Sequence, residues 1–166
     1  MRRQTYDFLL KFFRDRYAPK SVLDVGSAHV NGDLRDIFNK AESEYIGLDM
    51  RKVRNVDIVL NAHDIDKHFK EGEFDMVCCF DTLEHDDKFW LSFSNMKWVL
   101  SKGGYLLIGV PGRACPQHDQ PNDYWRFMKD GVISLFEGFE DVHVEVQKDN
   151  PNNDAEDEIY AWGKKI

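Results

Sequence analysis

A chain of 166 residues is about the size of one domain and is long enough to bury a hydrophobic core. Its hydrophobic fraction of 42% and charged fraction of 31% exclude an intrinsically disordered chain. The 30 acidic and 22 basic residues leave a formal net charge of -8, which argues against bulk nucleic acid as a partner, and the basic stretch Arg51, Lys52 and Arg54 is too short to override that field.

In chain order, Tyr6, Leu9, Leu10, Phe13 and Tyr17 fall at helical spacing and predict an amphipathic helix ending near Pro19. The opening MRRQTYDFLLKFF contains Asp7 and no small-residue cleavage site, so it reads as that helix and not as a signal peptide. No apolar run approaches a membrane span, and the cytoplasm is the expected location. Ser21 to Val25 is a short apolar strand stopped by Gly26, and Leu34, Ile37 and Phe38 mark a helix. Strands are predicted at Glu44–Asp49 and through Val56, Ile58, Val59 and Leu60, with a short helix around Ile65 and Phe69. The run Phe74–Phe80 is apolar at nearly every position, as a strand covered by helices on both faces must be. Phe89, Phe93, Met96 and Leu100 predict a helix terminated by Lys102-Gly103-Gly104, and Tyr105–Val110 a fifth buried strand. A helix through Val132, Ile133 and Phe136 precedes two runs of strand character, Val142–Val146 and Ile159–Trp162. The turn between them, residues 149–154, is too short for a crossover helix, so this pair is expected to be antiparallel. Cys78 and Cys79 read as small core residues and Cys115 is isolated, which leaves no disulfide framework or CxxC site.

Strands alternating with helices imply an α/β fold with a doubly wound sheet over a single domain, residues 1–166, and a ligand crevice at the strands' carboxyl ends. The polar residues that interrupt the pattern fall just there. Asp24 and Gly26 close the first strand, Asp49 the second, Asp64 follows the third and Asp81 the fourth. A glycine lets backbone approach a ligand, and a carboxylate about 20 residues further on can accept both hydroxyls of a ribose. Taken singly, each acid reads more readily as a solvated loop residue or a helix cap. The co-linear set points to a nucleoside-type cofactor.

The chain resembles the class I S-adenosylmethionine-dependent methyltransferases, in their small-molecule, type 11-like branch. Val22-Leu23-Asp24-Val25-Gly26 looks like the first motif and Tyr45-Ile46-Gly47-Leu48-Asp49 the second. Asn61-Ala62-His63-Asp64 is similar to the adenine-binding segment, and Phe74-Asp75-Met76-Val77 through Leu83-Glu84-His85 to the fourth-strand motif. Leu100-Ser101-Lys102-Gly103-Gly104-Tyr105-Leu106 and Asp123-Tyr124-Trp125-Arg126-Phe127 match later segments of that branch. The resemblance implies a Rossmann-like sheet of seven strands, mostly parallel with an antiparallel closing strand and helices on both faces. It also implies S-adenosyl-L-methionine as cofactor and methyl transfer to a small molecule. The cofactor residues it implies are Asp24, Gly26, Ser27 and Ala28 after the first strand, and Asp49 on the ribose. Met50 is expected on an adenine face, with Asp64 and Ile65 beside the base and Phe80 and Asp81 after the fourth strand. One departure is that Ala28 and Val30 stand where the family usually has glycine, with Gly32 nearby.

Methyl transfer needs in-line placement of a nucleophile and, for a hydroxyl or ammonium acceptor, removal of its proton. His85 and His118 are the candidates for that proton. His85 reads equally as a helix-start residue, and His118 reads more readily as an exposed loop residue. The long segment Arg113–Phe127 suggests an acceptor-binding lid, with Tyr124 and Trp125 stacking on the acceptor and Arg126 recognising an anionic or carbonyl group. Its plainer alternative has the aromatics anchoring the loop and Arg126 pairing with Asp123 or Asp119. Ligand spacing gives no metal site. Two rival functions are a non-catalytic subunit of the same fold and a nucleotide-binding oxidoreductase.

Overall fold

Successive side chains of a strand point to opposite faces, so a strand that is apolar throughout needs cover on two sides. The computed structural model describes residues 3–14, 18–28, 34–39, 42–118, 121–148 and 158–166. Tyr17, Val30, Gly32, Asp119 and the turn at 149–154 lie outside them. Among the described residues seven strands form one sheet: β1 (Ser21–Val25), β2 (Glu44–Asp49), β3 (Ile58–Val59), β4 (Phe74–Phe80), β5 (Leu100–Pro111), β6 (Phe139–Gln147) and β7 (Glu158–Lys165). Their order is β3-β2-β1-β4-β5-β7-β6. β1 pairs in parallel with β2 and β4, β2 with β3, and β4 with β5, while β7 runs antiparallel to both β5 and β6.

The expected antiparallel pair is present, with β7 inside the sheet and β6 at its edge. The sequences explain that order. Ile159-Tyr160-Ala161-Trp162 is buried at every position, whereas Val142-His143-Val144-Glu145 alternates and none of it is fully buried. Edge strands tolerate charge, and central ones do not.

Helices cover both faces. On one, α1 (Arg3–Arg14) and α2 (Arg35–Asn39) bring Phe8, Leu9, Phe12 and Phe38 onto Val22, Met76, Cys78, Leu107, Tyr160 and Trp162. On the other, α3 (Ile65–His68), α4 (Phe89–Val99) and α5 (Lys129–Leu135) cover Leu23, Val25, Val77, Cys79, Leu106 and Ile108. Each fully buried aromatic or aliphatic side chain contributes about 1.5–3 kcal/mol.

Three of the departures from the expected element bounds have a local cause. The helix expected to stop at Lys102-Gly103-Gly104 ends at Val99, because Leu100 already pairs with Phe74 in β5. A register shift then separates the Phe74 and Met76 pairings, and Gly103 (φ +78°) sits within the strand. The glycines thus serve a bulge and not a helix stop. The third strand shrinks to Ile58–Val59, since Val56 turns back to bond the Val53 carbonyl. β6 begins earlier than expected, at Phe139, and bends at Asp141 (φ +49°) between the Glu140 and His143 pairings.

Candidate active site

β1 lies between β2 and β4, so the loops leaving these three strands share one rim at the point where the chain's progress across the sheet reverses. Gly26 leaves β1 at φ +84°, a conformation natural to glycine, and a Cβ there would lie 1.9 Å from Thr82 Oγ1. Its N–H and that of Ser27 both donate to the Leu48 carbonyl, at 2.8 and 3.0 Å. Thr82 carries no recognisable sequence signal, yet it is the residue that packs on this corner. Ser27 is fully buried, and its Oγ finds no hydrogen-bond partner among the described residues.

Asp49, at the tip of β2, ties the rim together. Oδ2 accepts the Ala28 N–H at 3.3 Å, and Oδ1 accepts the Arg51 backbone N–H at 2.8 Å and Nε at 3.3 Å. Arg51, noticed in the sequence only as part of a basic stretch, is therefore the carboxylate's ion-pair partner. Met50 next to it is 62% exposed, an open apolar surface beside the carboxylate. Asp64 follows the cap formed by Asn61 and accepts from Lys67 Nζ at 2.5 Å. Asp81 leaves β4 at φ +48°, with its N–H on the Gly109 carbonyl at 3.0 Å. A non-glycine residue in that region is uncommon and marks a constrained turn.

Three of the expected cofactor residues present no side chain to this rim. Asp24 is wholly buried on the α1–α2 side of the sheet, where its carboxylate accepts the Tyr45 hydroxyl. Phe80 packs edge-on against Phe8 in the same core, and Ile65 is wholly buried in the opposite one. Strand alternation and the helix interior direct these side chains inward, which leaves only their backbone for a ligand.

Beyond β4, a turn of 3-10 helix (Leu83–His85) places Glu84 and His85 in succession, with Glu84 wholly buried. The segment after β5 folds back onto this turn. The N–H groups of Tyr124 and Trp125 both reach the Glu84 carbonyl, at 2.8 and 3.3 Å, and Trp125 Nε1 donates to the Asp86 carbonyl at 2.8 Å. Docking brings His118 to His85, ring centroids 5.1 Å apart and nearly perpendicular. Glu84 Oε1 lies 3.6 Å from His85 Nε2 and 3.5 Å from His118 Nε2.

Arg126 corrects the lid reading. Its guanidinium grips both carboxylate oxygens of Asp123 at 2.6 Å. It also donates to the carbonyls of Cys115 (3.0 Å), Pro116 (2.8 Å) and Trp125 (2.7 Å). Nε and both terminal nitrogens are thereby committed within the segment, so Arg126 is its internal clamp and not a group held open for an acceptor. The hydrogen bonds from Arg126 hold the Asp123 carboxyl well below the usual carboxylate range. Asp123 Oδ2 also accepts the His118 N–H at 2.7 Å. Trp125 is likewise an anchor, packed edge-on against Phe89, whereas Tyr124 stays about half exposed.

The model of a methyltransferase domain family matches residues 1–140. Among curated proteins no sequence matches the chain. Solved structures share the fold at low identity. An S-adenosylmethionine-dependent methyltransferase from Archaeoglobus fulgidus superposes with a TM-score of 0.76 at 16% identity, over 99% of this chain and 95% of that one. The Burkholderia thailandensis 1,6-didemethyltoxoflavin-N1-methyltransferase, bound to its namesake compound and S-adenosylhomocysteine, gives 0.74 at 14% identity, over 99% and 77%. The N-methyltransferase NodS from Bradyrhizobium japonicum, in complex with S-adenosylhomocysteine, gives 0.73 at 13%, over 98% and 86%. Among the described residues no helix is long and apolar enough to cross a membrane. The family match over most of the length, on a sheet of this order with its glycine corner and carboxylate-tipped second strand, leads to one assignment: the chain belongs to the methyltransferase domain family, the class I S-adenosylmethionine-dependent methyltransferases.

Proposed function

We propose that this chain methylates a small-molecule acceptor by in-line displacement, as one cytoplasmic domain spanning residues 1–166 and with no bulk nucleic acid as partner. The observation that carries the reading is the adjacency of two dissimilar sites on successive strand ends. One is the glycine-cornered rim of Gly26, Ser27, Ala28 and Asp49, and the other is the Glu84–His85–His118 cluster beyond β4.

The residues present fit S-adenosylmethionine. The Gly26 corner, the Asp49 carboxylate and the exposed Met50 supply close backbone, polar and apolar surface along one edge, and the Ser27 hydroxyl buried beneath them has no partner among the described residues. Asp49 holds the ribose hydroxyls, Met50 covers an adenine face, and Asp64 accepts from the adenine amine, with the Ile65 backbone beside it. Bound there, the cofactor supplies a methyl group on a sulfonium that departs as a neutral thioether. The protein's share is placement and exclusion of water. His85 and His118 act on the acceptor, whose open wall is Tyr124. In support, the Burkholderia relative binds a small molecule together with S-adenosylhomocysteine.

The test is formation of S-adenosylhomocysteine over a panel of hydroxyl-, amine- and thiol-bearing small molecules. Turnover should fall about 100-fold in His85→Ala and in His118→Ala, with S-adenosylmethionine affinity retained. Turnover indifferent to both substitutions would remove the pair from the site. Tight cofactor binding with no turnover on any acceptor class would favour the non-catalytic subunit.

A further inference from the structure

We infer that Glu84, His85 and His118 bind one divalent first-row transition-metal ion, and that this ion takes the oxygen of a hydroxyl-bearing methyl acceptor. The inference rests on the reading of the crevice just given and specifies how its histidines act. Ligand spacing in the sequence shows no metal site, because His118 reaches the other two only through the fold.

Three observations carry it. One ligand atom from each of the three residues lies within 4.8 Å of the others. The Nε2 atoms of His85 and His118 stand 3.6 and 3.5 Å from Glu84 Oε1. That is too long for a normal N–H···O hydrogen bond of about 2.7–3.2 Å. It is close to the separation of about 3.3–3.5 Å between two ligands of one tetrahedral ion with bonds of about 2.0–2.2 Å.

The far nitrogens supply the second observation. His85 Nδ1 is 2.5 Å from the Asn122 carbonyl, and His118 Nδ1 is 3.2 Å from the Pro116 carbonyl. A carbonyl only accepts, so both Nδ1 atoms carry the proton, and each Nε2, the nitrogen near Glu84, is the one placed to bind an ion. Metal-bound histidines are fixed in this way, by a hydrogen bond from the nitrogen that does not bind.

The third is the scaffold behind His118. Arg126 holds the Pro116 carbonyl and the Asp123 carboxylate, and that carboxylate accepts the His118 N–H. The clamp thereby ties Pro116 and the His118 amide to one guanidinium–carboxylate pair. Two imidazoles and one carboxylate suit zinc, iron, cobalt or nickel better than magnesium or calcium, and three protein ligands leave a position for an oxygen from outside. A hydroxyl placed on the ion becomes more acidic and gives its proton to water. Its oxygen then forms the C–O bond as the C–S bond breaks, the electron pair staying on sulfur.

The test is calorimetric titration of chelator-treated protein with Zn²⁺, alongside the visible spectrum with Co²⁺, in wild type, Glu84→Gln, His118→Ala and His63→Ala. His118, about a third exposed, and the isosteric glutamine keep the test independent of folding. His63 samples the other grouping of potential ligands, His63 with Asp86 and Asp87. The expected result is one Zn²⁺ per chain and a tetrahedral Co²⁺ spectrum, with affinity lowered at least 100-fold by Glu84→Gln and by His118→Ala and unchanged by His63→Ala. No stoichiometric binding, binding that survives His118→Ala, or binding lost only in His63→Ala overturns the inference. Titration with S-adenosylhomocysteine separates the two readings. Cofactor binding without Zn²⁺ binding defeats only the metal, and Zn²⁺ binding without cofactor binding defeats the proposed function.

Discussion

Replacing Arg126 by alanine removes five hydrogen bonds at once and leaves the Asp123 carboxylate, only 1% exposed, without its counter-ion. Breaking a buried ion pair from one side costs about 3–5 kcal/mol. The arginine side chain is 22% exposed, so water reaches the pair and the low end, about 3 kcal/mol, applies. For a domain of this size each kcal/mol moves the melting temperature by about 2–4 °C, which predicts a fall of about 6–12 °C. Arg126→Lys keeps the charge but cannot reproduce the planar fork, and should recover less than half of the loss. Scanning calorimetry and limited proteolysis read the effect, with cleavage in the Arg113–Phe127 segment increasing first if that segment melts alone. A melting temperature within about 2 °C of wild type, an unchanged digest and abolished turnover would refute this reasoning. Arg126 would then act on the acceptor.

Three further expectations concern the rim and the core. An inosine analogue of S-adenosylhomocysteine should bind at least tenfold weaker than the adenosine form, and equal binding would take Asp64 off the base. Gly26→Ala should destabilise the chain by more than the ~1–2 kcal/mol of a left-handed residue, because the new Cβ meets Thr82 Oγ1. Thr82→Gly in the same background should recover the excess, and a purely additive pair in denaturant titrations would show that the overlap is not the cause. Burial pushes the Cys78 and Cys79 thiols well up, with the Asp24 charge adding to it, so a thiol reagent should label Cys115 alone in the native chain and all three cysteines in denaturant. Rapid native labelling of two or more would contradict the packing of β4.

The strands were legible because burial on both faces leaves runs such as Phe74–Phe80 that nothing else explains. Their ends were not. Lys102-Gly103-Gly104 satisfies the chemistry of a helix stop and of a strand bulge alike, and only the pairing of Leu100 with Phe74 decides between them. The corner at Gly26 and the acid at the tip of β2 were legible as geometry, because residue type and position after a strand signal both. Asp24 and Phe80 are among the cofactor residues that the resemblance implies, but strand alternation turns their side chains into the core. The Glu84–His85–His118 cluster was only half visible. Leu83-Glu84-His85 stood out, but an acid in a turn reads as solvated, and nothing local says that a distant loop buries it. Arg126 was open between two roles in the sequence, and the proximity of Asp123 and three carbonyls resolves them.

If the rim formed by the ends of β1, β2 and β4 holds S-adenosylmethionine, it must also bind the demethylated product. Calorimetric titration with S-adenosylhomocysteine and NAD, of the wild-type chain and Asp49→Ala, tests it most directly. One S-adenosylhomocysteine site per chain is expected, with a dissociation constant of about 10 μM or tighter, and no heat from NAD. Asp49→Ala should weaken that site by about 1.5–3 kcal/mol, roughly ten- to 150-fold, with the fold intact by circular dichroism. Saturable binding of NAD without S-adenosylhomocysteine, or S-adenosylhomocysteine affinity unchanged in folded Asp49→Ala, would contradict it.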